Sequence, residues 1–299
     1  MYSGVGYCKT SYAALVTRPV KRSLTICFCV LVLMLGGSSL QRGRADARDW
    51  APAMNAGKWS ETIAMTSWVG NLYTIEKSGA LYRTDPTSGK RVQVGKPDFA
   101  DTEFLFTENN YLYTIETDGS LYRVNQGDGT WVQVGQAGDW KDTIALVLGT
   151  NTFWSIERNG ALYRTDLTTG QWAQLGKADF ADTRFMFRIG HEVYIYTIEA
   201  NGSLYRISLA DGSWRSVGTD GDWKDTIVGA TFRDRIYTVE QSGALYATDV
   251  ATGAWKQIGK TEFRKAKFMV AAHDSLYTIE DGDLYRINPM TGIRTEIGK

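Results

Sequence analysis

One string governs what this chain can fold into. Leu-Tyr-Thr-Ile-Glu, a glycine loop and Ala/Ser-Leu-Tyr-Arg come round six times. It reads NLYTIEKSGALYR at Asn71–Arg83 and YLYTIETDGSLYR at Tyr111–Arg123, and it returns at 153–164, 195–206, 236–247 and 276–286. Each copy is preceded by a more continuously apolar stretch, such as Thr143–Val147. Each is followed by a glycine turn and a segment ending in glycine: RVQVG, WVQVG, WAQLG, WRSVG, WKQIG and RTEIG. Hydrophobicity alternates with a period of two, so these segments are strands, four to a unit. Four strands in roughly forty residues, repeated, is the signature of propeller blades, because solenoids of this period carry helices or fewer strands. The sequence therefore predicts an all-β, six-bladed β-propeller of four antiparallel strands per blade, with blades near 59–96, 97–136, 137–177, 178–218, 219–260 and 261–299.

A finer period overlies this one. The linker entering each unit carries Trp59, Phe99, Trp140, Phe180, Trp223 and Phe263 in turn, with like residues 81 or 83 positions apart. The ring thus reads as three copies of a two-blade unit, and the linker aromatics as wedges between blades. Trp50 and Trp59 keep the same nine-residue offset as Trp131 and Trp140. The segment at Trp50 is therefore expected to cap the last blade and fasten the two chain ends.

Residues 1–47 read as an export leader, with cleavage expected near Ala47. Arg18, Lys21 and Arg22 precede the apolar run Leu24–Leu35, and the small-residue exit Ala45-Asp46-Ala47 follows. Twelve apolar residues are too few to span a bilayer. All three cysteines (Cys8, Cys27, Cys29) lie in this leader, so residues 48–299 hold no thiol for a disulfide, a metal or catalysis. The whole chain has 33 basic and 33 acidic residues, but six basic residues and one acid fall in the leader. The remainder, with 27 basic and 32 acidic, offers no basic patch to nucleic acid. The expected location is the periplasm or beyond.

Three rows of residues are candidate ligand contacts. Glu76, Glu116, Glu157, Glu199, Glu240 and Glu280 recur in every unit; Arg83, Arg123, Arg164, Arg206 and Arg286 recur in five, with Ala247 in the other. Counting through the hairpin puts Glu76 on one face with Thr74, Ala80 and Tyr82, and Arg83 on the other with Tyr73, Ile75 and Leu81. Glu and Arg of one blade cannot pair, and could meet only across the crevice to a neighbour. Two readings follow. The carboxylate ties turn amides or an adjacent blade, since an unpaired buried charge is costly; or Glu and Arg face a polar pocket beside a Tyr. Persistence of Glu240 without its Arg favours the carboxylate holding the hairpin. Trp131, Trp172, Trp214 and Trp255 open the outermost strands, with Arg91 and Arg294 in the end blades. They suit either interblade packing or the apolar face of a sugar ring. Asp101, Asp142, Asp182 and Asp225 precede a Thr in each linker and read as turn caps. His191 and His273 stand alone, without a second ligand at metal spacing.

The Gly-Ala-Leu-Tyr-Arg and Trp-x-x-Val-Gly strings resemble the tectonin and tachylectin-2 group of propeller lectins over residues 59–299. The resemblance implies glycan binding at sites repeated between blades. A catalytic site needs one set of unlike groups in one place, whereas these polar positions repeat, so no enzyme and no cofactor or metal is expected. Multivalent carbohydrate binding at three or six equivalent pockets is the expected function. A protein-interaction scaffold of the cell envelope is the alternative, and a propeller hydrolase or lactonase fits less well.

Overall fold

The computed structural model describes residues 55–56, 59–190 and 193–298, so the leader, Trp50 and His191 lie outside the described residues. The fold is a six-bladed β-propeller of four antiparallel strands per blade. The third blade shows the plan, with strands Thr143–Gly149, Thr152–Glu157, Leu162–Asp166 and Trp172–Leu175 in sequential order. First strands face each other around the axis: Ser67 Oγ donates to the Ala271 carbonyl at 2.7 Å, and Thr107 Oγ1 to the Ser67 carbonyl at 3.1 Å. Buried on both faces, they are the most continuously apolar strands. The two-residue hairpin Asp281-Gly282 takes positive φ at both positions, which pairs Glu280 directly with Asp283.

The linker aromatics are wedges. Trp140 is buried in one cluster with Phe104 and Phe106 of the second blade and Leu146 and Phe153 of the third. Trp59 does the same between the last blade and the first, and Trp223 between the fourth and fifth. Burying an indole of about 200 Å² contributes about 5 kcal/mol at most, so six aromatic wedges dominate blade-to-blade cohesion.

Beside each wedge the sheets touch backbone to backbone. The glycine ending one blade's outer strand meets the turn glycine of the next, as at Gly135 and Gly170, where a Cβ on Gly170 would lie 2.4 Å from the Gly135 Cα. The same contact closes the ring between Gly298 and Gly89. Closure needs no shared strand. The last blade is complete with its own four strands, and Asn55–Ala56 instead adds a fifth, short strand to the first blade, opposite Arg91 and Lys90. This corrects the expectation that the segment after Trp50 caps the last blade. The seam is made by Trp59, whose amide donates to the Gly282 carbonyl at 2.7 Å, and by Lys267 Nζ on the Thr62 carbonyl at 2.6 Å.

The repeated Glu closes the second strand and is buried, or half-buried at Glu157. Its side chain does not hold the hairpin, which is closed by backbone bonds such as Gly79 N–H to the Glu76 carbonyl. Instead, in five blades it accepts a hydrogen bond from the Thr that starts the first strand (Thr62, Thr102, Thr143, Thr183 and Thr226), while in the last blade Ala266 stands there and Glu280 pairs with Arg294. A bulge after that Thr makes the contact. Without the extra residue, Ile144 in the third blade, Thr143 would point to the opposite face from Glu157. Burial pushes Glu199 up to about 6, against the opposing pull of the Thr197 and Thr183 hydroxyls. Burial likewise raises Glu116, Glu157 and Glu240.

Two outcomes follow for stability. Gly170→Ala, at φ +71° and against backbone, should cost about 2 kcal/mol or more in thermal unfolding, whereas Gly190→Ala, which meets nothing within 4 Å, should cost about 1 kcal/mol. Glu199 has a raised pKa in the folded state, so its stabilising contribution is complete below about 4.5 and lost as pH rises through about 6. Near neutral pH this amounts to about 2 kcal/mol. Glu199→Gln should therefore raise the Tm by about 5 °C near pH 7.5 and flatten its pH dependence; an unchanged pH profile would refute the assignment.

Candidate functional site

On one face of each of the four middle blades, the buried Glu, the Tyr of the third strand, the outer-strand Trp and the incoming linker come together. In the third blade they enclose a cavity of about 230 Å³, lined by Asp139, Trp140 and Asp142 from the linker and by Glu157, Tyr163 and Trp172 from the sheet. The fifth blade encloses a second cavity of the same volume from the matching residues Asp222, Trp223, Asp225, Glu240, Tyr246 and Trp255. Register explains the convergence. Ser155 stands opposite Tyr163, and Thr165 opposite Trp172, so Ser155, Glu157, Tyr163 and Trp172 all project from one face. The two cavities are nearly superposable: Tyr163 meets Trp172 edge-on at 5.1 Å and 86°, and Tyr246 meets Trp255 at 5.1 Å and 87°.

The floor is fixed by hydrogen bonds. Trp140 Nε1 donates to Thr165 Oγ1 at 3.4 Å, and Trp223 Nε1 to Thr248 Oγ1 at 3.3 Å. Thr143 Oγ1 donates to Glu157 Oε1 at 2.8 Å, and Thr226 Oγ1 to Glu240 Oε1 at 2.9 Å. The walls are open to solvent, since Trp172 and Trp255 keep half of their surface exposed, at 50% and 49%. Trp255 is steadied by donating to Asp222 Oδ2 at 2.9 Å. Blades two and four carry the same set with Phe99 and Phe180 as wedges. There Trp131 and Trp214 donate to Asp98 and Asp179 and pack on Tyr122 and Tyr205.

The end blades differ in the linker, where Glu61 and Lys265 stand at the place of Asp142 and Asp225 and Ala266 at that of the strand-opening Thr, and in the outer strand. Arg91 and Arg294 occupy the register of the outer Trp, opposite Thr84 and Ile287. Arg91 is only 4% exposed. Its guanidinium carbon lies 4.0 Å from the Tyr82 ring centroid and 5.4 Å from that of Trp59, and Nη2 reaches Glu76 Oε1 at 2.5 Å. Arg294 lies 4.8 Å from the Tyr285 ring and 5.8 Å from that of Phe263, and it pairs with Glu280.

The structure thus brings together the Glu row and the outer Trp row, but not the Arg row. Arg83, Arg123, Arg164, Arg206 and Arg286 lie on the opposite face, across from Tyr73, Tyr113, Trp154, Tyr196 and Tyr277. Arg123 and Arg206 sit over the Tyr111 and Tyr194 rings at 4.8 and 4.2 Å. Among the described residues no ion pair joins the two rows across the crevice; the partners of Glu76 and Glu280 are Arg91 and Arg294. His273 is exposed between the first and second strands of the last blade. The sequence places the third-strand Tyr on the Glu face, as found at Tyr163 and Tyr246, but sequence reasoning missed Asp139 and Asp222 as pocket residues and treated Asp142 and Asp225 only as turn caps. The signal was the string Asp-Trp-Lys-Asp at 139–142 and 222–225, which no other linker carries.

The family model described as outer membrane protein assembly factor BamB matches residues 219–295, the last two blades. No curated protein matches the sequence. Among solved structures, the chain is similar to PorZ, described as an essential bacterial surface component of the type-IX secretion system of Porphyromonas gingivalis: 12% identity, TM-score 0.55, 84% of this chain covered and 34% of that one. It thus spans about a third of the PorZ chain. Streptogramin B lyase is similar at 12% identity and TM-score 0.54, with 83% and 86% covered. A chain of a nidogen/laminin complex gives 10% identity and TM-score 0.58, with 74% and 90% covered. At such identities the likeness is one of fold. The chain is a β-propeller repeat protein.

Proposed function

We propose that this chain is an exported, non-catalytic propeller that binds a protein partner in the cell envelope through pockets repeated around its ring. The observation that carries this reading is that one pocket is built twice, in blades three and five, with the same residue types and the same aromatic geometry. Duplicated weak sites gain strength from simultaneous engagement, whereas catalysis calls for a unique constellation. The match of residues 219–295 to the BamB family model supports a protein partner, and the leader supports export. The half-exposed indoles of Trp172 and Trp255 beside carboxylates favour a second reading, carbohydrate binding of the tectonin kind.

The double variant Trp172→Ala/Trp255→Ala decides between them. Affinity for a purified envelope partner is expected to fall at least tenfold, about 1.4 kcal/mol, with the far-UV spectrum unchanged. If the wild-type protein instead binds glycans through these two residues, and no protein, the carbohydrate reading takes its place. Wild-type binding that survives the double substitution would exclude the pockets.

A further inference from the structure

We propose that the cavities of blades three and five are receptors for a guanidinium group, an arginine side chain presented by the partner. This deepens the function proposed above and rests on it.

The argument starts from the end blades, where the same cavity already holds such a group. In the first blade the Arg91 guanidinium lies over Tyr82, beside Trp59, and on the Glu76 carboxylate. In the last blade Arg294 repeats the arrangement on Tyr285, Phe263 and Glu280. Trp in place of Arg at this register position leaves the Tyr, the wedge aromatic and the Glu in place. The third blade keeps Tyr163 for Tyr82, Trp140 for Trp59 and Glu157 for Glu76, and the fifth keeps Tyr246, Trp223 and Glu240. The cavity thus retains the ring faces and carboxylate that receive a planar cation in the end blades.

Charge agrees with shape. Each cavity is lined by three carboxylates, Asp139, Asp142 and Glu157 or Asp222, Asp225 and Glu240, and by no Lys or Arg. Arg158 pairs with Asp142 at 3.5 Å only at the exposed rim. Three carboxylates without a basic residue favour a cation over a neutral sugar. A metal ion does not fit either, since among the described residues no three such groups are gathered as ligands. Aromatic faces with a partly desolvated carboxylate are the setting in which cation–π attraction and a charge-assisted hydrogen bond act together. Arg is suited to it by its flat, forked donor set. Burial raises Glu157 and Glu240 even with hydroxyl donors on each and with Arg158 and Arg184 nearby, so a bound cation would add to that compensation.

The test uses the full-length protein, with the indole N–H signals of Trp172 and Trp255 followed by NMR during titration with N-acetyl-arginine amide. Both signals should shift and saturate in the millimolar range. The neutral citrulline analogue and methyl glucoside should leave them in place. Glu157→Gln should weaken the Trp172 response about tenfold or more and spare Trp255, and Glu240→Gln should do the converse. Trp172→Arg should fold, abolish the blade-three response as read at the Trp140 indole N–H, and leave that of blade five. Equal shifts with citrulline, or responses unaffected by the Gln variants in a folded protein, would overturn the proposal. If Trp172→Ala/Trp255→Ala abolishes capture of the partner but arginine amide does not compete, the pockets bind protein by other groups and only the guanidinium assignment fails. If the double variant captures the partner normally, the proposed function itself fails.

Discussion

Backbone touching backbone at the outer corners of the blades is the constraint on which the rest of the structure depends. The close approach of Gly135 to Gly170, repeated around to Gly298 and Gly89, sets how near two twisted sheets can come. That distance in turn leaves room for one aromatic wedge and no more. Trp140 fills it so closely that a Cβ on Gly135 would lie 2.6 Å from its ring. The wedge then becomes the floor of the cavity above it. Packing, ring closure and pocket are consequences of one spacing.

The pockets show how little separates a structural ion pair from a receptor. Arg91 and Trp172 occupy the same place in the sheet, each opposite the Thr of the third strand. With Arg, the carboxylate is neutralised internally; with Trp, it keeps only the hydroxyls of Thr143 and Ser155 and faces the cavity. Under the proposal above, a half-buried charge with no internal cation attracts one from a partner.

Much of this was legible in the sequence, because period-two alternation, glycine turns and linker aromatics are local signals. Blade number, strand count, the faces of Glu76 and Arg83, and the wedge role of Trp59, Trp140 and Trp223 all came from counting. The partner of the Glu did not, because a bulge at Ile144 reverses the side-chain parity of the strand before it, and no residue type announces a bulge. The pairing of Asn55–Ala56 with the first blade was missed because the alignment of Trp50 with Trp131 suggested an outer strand without saying whose edge it would join. The acidic lining was missed because Asp139 and Asp222 belong to the linker and become pocket residues only when it folds over the outer strand.

Arg91 and Arg294 have a consequence for symmetry. The first and last blades are neighbours only by non-covalent contact, and it is there that an internal cation replaces the indole. At the join Arg91 lies beside Trp59, while Arg294 ties Phe263 to Glu280 within the last blade, and the outer indoles are confined to the four blades between. The ring is therefore not rotationally uniform: four consecutive blades present an exposed indole, and the two that meet at the closure hold a guanidinium instead.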